Sequence, residues 1–162
     1  MKKYLFITLL CLGCADLFGQ SITINDLTNL TSLANEDAHN YVVLSKGFKK
    51  EYTQVVDGNV VEHLKKAGAD KKEESVEIGE FVKLSSGAIL RTVTYKTSTA
   101  VQVFNLMTQA KSSGIRMRFQ GVDVKNNIYL FDNDFFHITM YISRDNTNGF
   151  VQVKQKEYLG FD

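Results

Sequence analysis

The feature that most constrains the fold is a strict alternation of apolar and polar side chains near the C-terminus. The even-numbered residues from Phe136 to Ile142 are apolar, and His137, Thr139 and Tyr141 lie between them. Successive side chains of a strand point to opposite faces, so this pattern predicts a strand with one buried face. The chain contains no proline, a residue that would interrupt such strands.

Similar signals, separated by short turns rich in Gly, Asn, Asp and Ser, occur through most of the chain. They predict seven strands, over residues 48–56, 76–84, 88–96, 115–120, 127–131, 135–143 and 150–157. The sequence therefore predicts an α+β fold with helices packed on one face of antiparallel sheet.

Three helices are predicted alongside these strands. Asn25 or Asp26 would cap the first helix, and Asn35 would cap the second. Thr99 and Gln102 have the spacing of a capping box, which predicts the start of the third and clearest helix.

Residues 1–19 have the pattern of a signal peptide. Lys2 and Lys3 precede an apolar run of about eleven residues, which is too short to span a bilayer. Cleavage after Gly19 would leave one α+β domain, residues 20–162, that is secreted or periplasmic. The alternative is lipidation of Cys14, which would make the chain a membrane-anchored lipoprotein.

Cysteine use and charge narrow the function classes. Cys11 and Cys14 are the only cysteines, so cleavage after Gly19 would leave no disulfide and no thiolate ligand or nucleophile. The chain has 19 basic and 18 acidic side chains, and it has 17 of each without the leader. This balance argues against a nucleic-acid partner, which a strongly basic domain would attract.

The sequence also predicts that the chain consists of two related halves, about 24–96 and 97–162. Residues 43–52 and 109–119 share a helix end, a glycine and an alternating strand, at an offset of 67 residues. Chance similarity between two generic α+β segments stays open as the alternative.

The predicted repeat includes a matched hairpin and an insertion. The hairpin predicted within 81–95 is matched to the one within 129–141. Residues 57–75, rich in charged and small residues, are interpreted as a polar insertion in the first half.

Two helix-plus-antiparallel-sheet units in tandem resemble the layout of the β-lactamase-inhibitor-protein-like domains. The resemblance implies an inhibitory or protein-binding role and assigns no site residue, and the disulfides typical of those inhibitors are missing here. The leader ending in Gly19 and Gln20 is similar to those of exported Bacteroidetes proteins whose function is not established.

The residues that could carry chemistry form no recognisable catalytic motif. His39, His63 and His137 lack metal-ligand spacing, and no Gly-x-Ser-x-Gly, His-Glu-x-x-His or phosphate-binding loop is present. Residues 132–134 are interpreted as a hairpin turn rather than a calcium site. We therefore expect no enzyme activity, no cofactor and no metal.

The second half offers one candidate surface, the sheet face opposite the third helix. Period-two alternation predicts that Phe119, Ile128 and Leu130 point towards the core. It predicts aromatic and basic residues on the opposite face, and such residues are enriched at protein interfaces. The candidate partner-binding residues are Arg116, Arg118, Tyr129, Phe131, Phe135, His137, Tyr141 and Lys154.

The sequence thus predicts a non-enzymatic exported binding protein that recognises a protein, or an anionic glycan or peptide. The alternatives are an envelope structural or assembly protein, which lipidation would favour, and a small hydrolase with a deep pocket. The candidate face would be unavailable if it were covered by the first half, by residues 57–75 or by a second copy of the chain.

Overall fold

The computed structural model describes residues 21–67 and 72–157, so the predicted leader, residues 1–19, lies outside the described residues. The helices are α1 (Ile24–Ser32), α2 (Asn35–Asn40), which continues into a π-helical turn (Tyr41–Ser45), and α3 (Ala100–Ser112). The strands are β1 (Lys49–Val56), β2 (Asn59–Ala67), β3 (Glu73–Lys83), β4 (Ile89–Thr97), β5 (Arg116–Val122), β6 (Asn126–Asp132), β7 (Phe136–Ser143) and β8 (Gly149–Gln155).

The eight strands form one antiparallel sheet in the order β1-β2-β3-β4-β8-β7-β6-β5. Helix α1 packs on the central strands β4 and β8, and α3 packs mainly on β7 and β8. The backbone N–H of Ile24 donates to the side-chain oxygen of Gln109 (2.9 Å), which ties the two helices together. The predicted α+β class is confirmed.

The predicted alternation is confirmed in the two strands with the strongest pattern. Ile138, Met140 and Ile142 of β7 and Val151 and Val153 of β8 are all fully buried beneath the helices. Paired residues of antiparallel strands lie on the same face, and the register aligns these two apolar sets. They form the centre of the core.

Strand β6 has the opposite phase to the one predicted. Phe131 pairs with the buried Ile138 and is itself 0% exposed, and Tyr129 also packs against the core. Ile128 and Leu130, which were expected to face inward, lie on the other face. All four residues are apolar or aromatic, so composition alone does not set the phase of this strand, and pairing with β7 does.

Strand β5 changes phase within its own length. Arg118 is the extra residue of a β-bulge, since Met117 pairs with Phe131 and Phe119 pairs with Leu130, their consecutive neighbours on β6. Met117 therefore faces the core as predicted, whereas Phe119 lies on the opposite face and is 51% exposed. The prediction that Phe119 points inward is wrong because it assumed an unbroken alternation.

Residues 57–75 are not a solvated insertion. They contain β2 and the start of β3, and only residues 68–71 between those strands lie outside the described residues. Leu64 of β2 is fully buried, and Lys65 forms an ion pair with Glu73 (3.1 Å). Charged side chains that pair across neighbouring strands gave this segment its loop-like composition.

The sheet order also corrects the match between hairpins. Residues 81–95 belong to β3 and β4, whereas residues 129–141 belong to β6 and β7. The sheet consists of two sets of four strands that meet at β4 and β8. By position, β3 therefore corresponds to β7, and β4 corresponds to β8. The hairpin similarity seen in the sequence therefore does not join strands in corresponding positions.

The caps of α1 and α2 differ from those predicted, whereas α3 begins directly after Thr99, as predicted. Thr23 caps α1 through a capping box with Asp26, so neither Asn25 nor Asp26 is the cap residue. Asn35 is the first helical residue of α2, and the side chain of Thr99 makes no capping hydrogen bond.

A buried polar cluster holds α1 against the π-helical turn. Asp26 forms an ion pair with Lys46 (2.7 Å), and Asp26 also accepts hydrogen bonds from the hydroxyls of Tyr41 and Thr23. Burial raises the pKa of the Asp26 carboxyl, but these hydrogen bonds outweigh it and hold the pKa below its ordinary value of 3.8. The stabilisation is therefore fully present above that value and is lost as the pH falls through the lowered pKa.

We predict that Lys46→Met destabilises the fold by about 3–5 kcal/mol, because it leaves the Asp26 carboxylate buried without its ion pair. Urea unfolding at neutral pH measures this loss. The double variant Asp26→Leu with Lys46→Met should recover most of the stability, since no charge then stays buried. Unchanged unfolding of Lys46→Met would contradict the role of the cluster.

Because Phe131 faces the core and Phe119 faces away from it, we predict that replacing each with alanine lowers the stability of the fold by different amounts. Phe131→Ala should cost about 3–5 kcal/mol because it opens a cavity in the core. Phe119→Ala should cost about 1 kcal/mol or less, the range of a cross-strand pair on an exposed face. Denaturant unfolding of the two variants compares them, and equal losses would show that the assigned faces are wrong.

Candidate functional site

The candidate site is the open face, defined as the sheet face opposite the helices. No helix of residues 21–67 and 72–157 packs on it. Cross-strand pairs link all eight strands, so one row of side chains runs across this face. From β1 to β5 the row is Tyr52, His63, Glu77, Thr94, Gln152, Thr139, Leu130 and Phe119.

The second half of the open face carries an apolar and aromatic surface. The rings of Tyr141 and Phe150 stack with centroids 4.3 Å apart and planes 15° apart. Ile128 pairs with Tyr141 on the neighbouring strand, and Leu130 pairs with Phe119. These five residues make a continuous, partly exposed patch, which we call the apolar patch.

The Phe119 ring lies over Gly121, two residues along β5. A Cβ atom at Gly121 would clash with the tip of that ring. Glycine therefore lets the ring lie along the strand and extend the apolar patch to the edge of the sheet.

A charged row borders the apolar patch. It runs through Lys154, His137, Asp132 and Arg116, each paired with the next across the strands. Lys156 donates to Asp132 (3.2 Å), and His137 Nδ1 lies 3.3 Å from the other carboxylate oxygen. Burial raises the pKa of Asp132, but the hydrogen bonds with His137 and Lys156 outweigh it and lower the pKa.

The first half of the open face is different in character. The rings of Tyr52 and His63 stack 4.2 Å apart, and His63 Nδ1 lies 3.2 Å from Glu77. Glu77 also forms an ion pair with Lys96. His63, Glu77 and Lys96 therefore form one ion-paired cluster, in which the Nε2 atom of His63 is buried without a hydrogen-bond partner among the described residues.

The structure brings together only part of the predicted site. Arg116, His137, Tyr141 and Lys154 lie on the open face. Arg118 lies at the β5 bulge and is exposed. Phe135 lies in the turn before β7 and is half exposed, and its ring is 6.3 Å from the ring of Phe136. Tyr129 and Phe131 lie on the core side of the sheet. Tyr129 and Phe131 are thus removed from the predicted binding surface.

Four residues of the apolar patch were not predicted from the sequence: Ile128, Leu130, Phe119 and Phe150. Only Phe150 had a usable signal, because it precedes the alternating pair Val151 and Val153 and so had to face away from them. The other three depend on the bulge and on the pairing of β6.

A groove of about 370 Å³ lies beside the aromatic stack, lined in part by Phe150, Lys65, Lys96, Ser98 and Asn148. In residues 21–67 and 72–157, no group of three or more His, Cys, Asp or Glu residues could hold a metal ion. The same part of the chain has no helix that is long and apolar enough to cross a membrane.

Comparison of the chain with family models, with curated proteins and with solved structures gave no match.

The stack of Tyr141 on Phe150 predicts a measurable coupling. In a double-mutant cycle with Tyr141→Ala and Phe150→Ala, we expect a coupling energy of about 0.5–1.5 kcal/mol, as for other aromatic pairs. Denaturant unfolding of the four proteins gives this value. Additive losses would show that the rings do not contact each other in solution.

Proposed function

We propose that the chain is an exported, non-enzymatic binding protein that recognises a protein partner through the second half of its open face. The observation that carries the proposal is the apolar patch, which no helix of residues 21–67 and 72–157 covers and which lies beside the exposed basic side chains of Arg116 and Lys154. Export itself rests on the signal-peptide pattern of residues 1–19.

The composition of the patch supports a recognition role. A solvated antiparallel sheet face usually carries polar side chains, whereas this one carries a stacked Tyr–Phe pair with Ile, Leu and a half-exposed Phe. Aromatic side chains surrounded by a polar border are typical of the centre of a protein interface.

The charged row supports a protein with acidic side chains as the partner. Asp132 is occupied by Lys156 and His137. Within residues 21–67 and 72–157, Arg116 and Lys154 form no ion pair, so both can pair with carboxylates of a partner. Ile128 and Leu130 favour a protein over an anionic glycan, because a glycan offers fewer aliphatic groups to cover them.

We also propose that the two halves, α1–β4 and α3–β8, are an internal repeat. The bulge residues Glu51 and Arg118 are 67 positions apart, and so are Tyr52 and Phe119, which follow them. His63 and Leu130, the partners of those two residues, are also 67 positions apart. A shared bulge at a constant offset is hard to obtain from unrelated hairpins, since bulges are specific features of a family.

The repeat suggests that the two halves of the chain have different roles. Where the first half has His63, paired with Glu77, the second half has Leu130 in the apolar patch. Binding would then belong to the second half, and the ion-paired first half would extend the sheet.

The test is capture of a partner from envelope extract and culture fluid by the immobilised chain. We predict that Leu130→Glu with Lys154→Glu weakens capture by about tenfold or more, because it places charge in the apolar patch and reverses a basic contact.

The matched control also replaces one apolar residue and one lysine with glutamate, on the exposed side of α3, in the variant Phe104→Glu with Lys111→Glu. It should capture the same partner as the unmodified chain. Thermal melting of both variants separates loss of binding from loss of folding. Equal capture by both, or a loss only in the α3 variant, would reject the open face as the site.

A further inference from the structure

The outer edge of β1 is an exposed strand edge that is separate from the open face. Among the described residues, β1 pairs with β2 alone, so its other side presents unpaired backbone N–H and C=O groups. Every residue of β1 from Lys49 to Val55 is exposed. Such an edge is a template for one more strand.

Only the first part of this edge is protected. The bulge at Glu51 and the neighbouring Lys49 and Lys50 distort and charge the start of β1, which are common ways to block edge pairing. From Tyr52 to Val56 the strand carries no charge, no glycine and no proline, and three of its five residues are β-branched. This stretch favours strand pairing.

The opposite edge of the sheet is a poorer template. Strand β5 has its own bulge at Arg118, and the regular stretch that follows contains Gly121, which weakens a strand. The Phe119 ring also lies over the backbone at Gly121. The two edges are therefore unequal, and β1 is the one open to pairing.

An exposed apolar pair lies beside the β1 edge. Val55 is 71% exposed and pairs across the strands with Val60, which is 56% exposed. A strand added beside β1 would cover Val55 and extend this pair, which adds apolar burial to the backbone hydrogen bonds.

We propose that the uncharged part of β1 pairs antiparallel with the same segment of a second copy of the chain, giving a two-fold symmetric dimer with a continuous sheet. The segment is self-complementary. A two-fold axis at Gln54 places Thr53 opposite Val55 of the second copy and Tyr52 opposite Val56 of the second copy, with no charged residue in the paired stretch. The pairing stops before Lys50 at one end and before the Asp57–Gly58 turn at the other.

Sedimentation velocity over a range of protein concentrations tests this proposal. The unmodified chain should sediment as a dimer as the concentration rises. Gln54→Lys places two lysines directly opposite each other at the axis, and it should shift the chain to the monomer. Gln120→Lys makes the same change on the exposed β5 edge, and it should leave the dimer intact.

Circular dichroism and thermal melting at low concentration show whether each variant folds as the unmodified chain does. Three results would overturn the proposal: an unmodified chain that stays monomeric, a dimer that tolerates Gln54→Lys, or a dimer lost equally in both variants. Partner capture by the open face should be unchanged in Gln54→Lys, so the two proposals fail independently.

Discussion

The pairing of β4 with β8 is the interaction on which the rest of the structure depends. These two central strands join four strands from each half into one sheet, and Tyr95 opposite Val151 and Val93 opposite Val153 form its buried centre. Helix α1 packs over this seam. Because β4 and β8 are far apart along the chain, this contact closes a long loop and needs the apolar burial of both halves to offset its entropy.

Strand register and β-bulges determine which side chains lie on the open face. One extra residue at Arg118 turns Phe119 outward, and the pairing of Phe131 with Ile138 turns Leu130 and Ile128 outward as well. A third bulge, near Gly79 in β3, brings that residue so close to the backbone of Val60 that no Cβ would fit there. Single-residue irregularities therefore control the chemistry of a whole surface.

The two proposals use different parts of the same sheet. The apolar patch relies on side chains of the second half, whereas dimerisation relies on backbone groups of the β1 edge. They are compatible, because edge pairing in the plane of the sheet leaves the open face exposed. A dimer would present two copies of the patch, one from each chain.

Sequence patterns alone determined much of the architecture. They gave the α+β class, the start of α3 and the buried face of β7 and β8, because a capping-box spacing or a strict period of two has one reasonable interpretation. They also placed His137, Tyr141 and Lys154 on the face away from the core.

Only the tertiary structure decided the rest. It assigned β2 within a charged segment, since Lys65 and Glu62 gain partners only when strands align. It formed the buried pair of Asp26 and Lys46 between residues that no local pattern links. It also moved Tyr129 and Phe131 into the core and Leu130 and Phe119 out of it, because side-chain direction in an apolar strand is set by its neighbours and by bulges rather than by its own sequence.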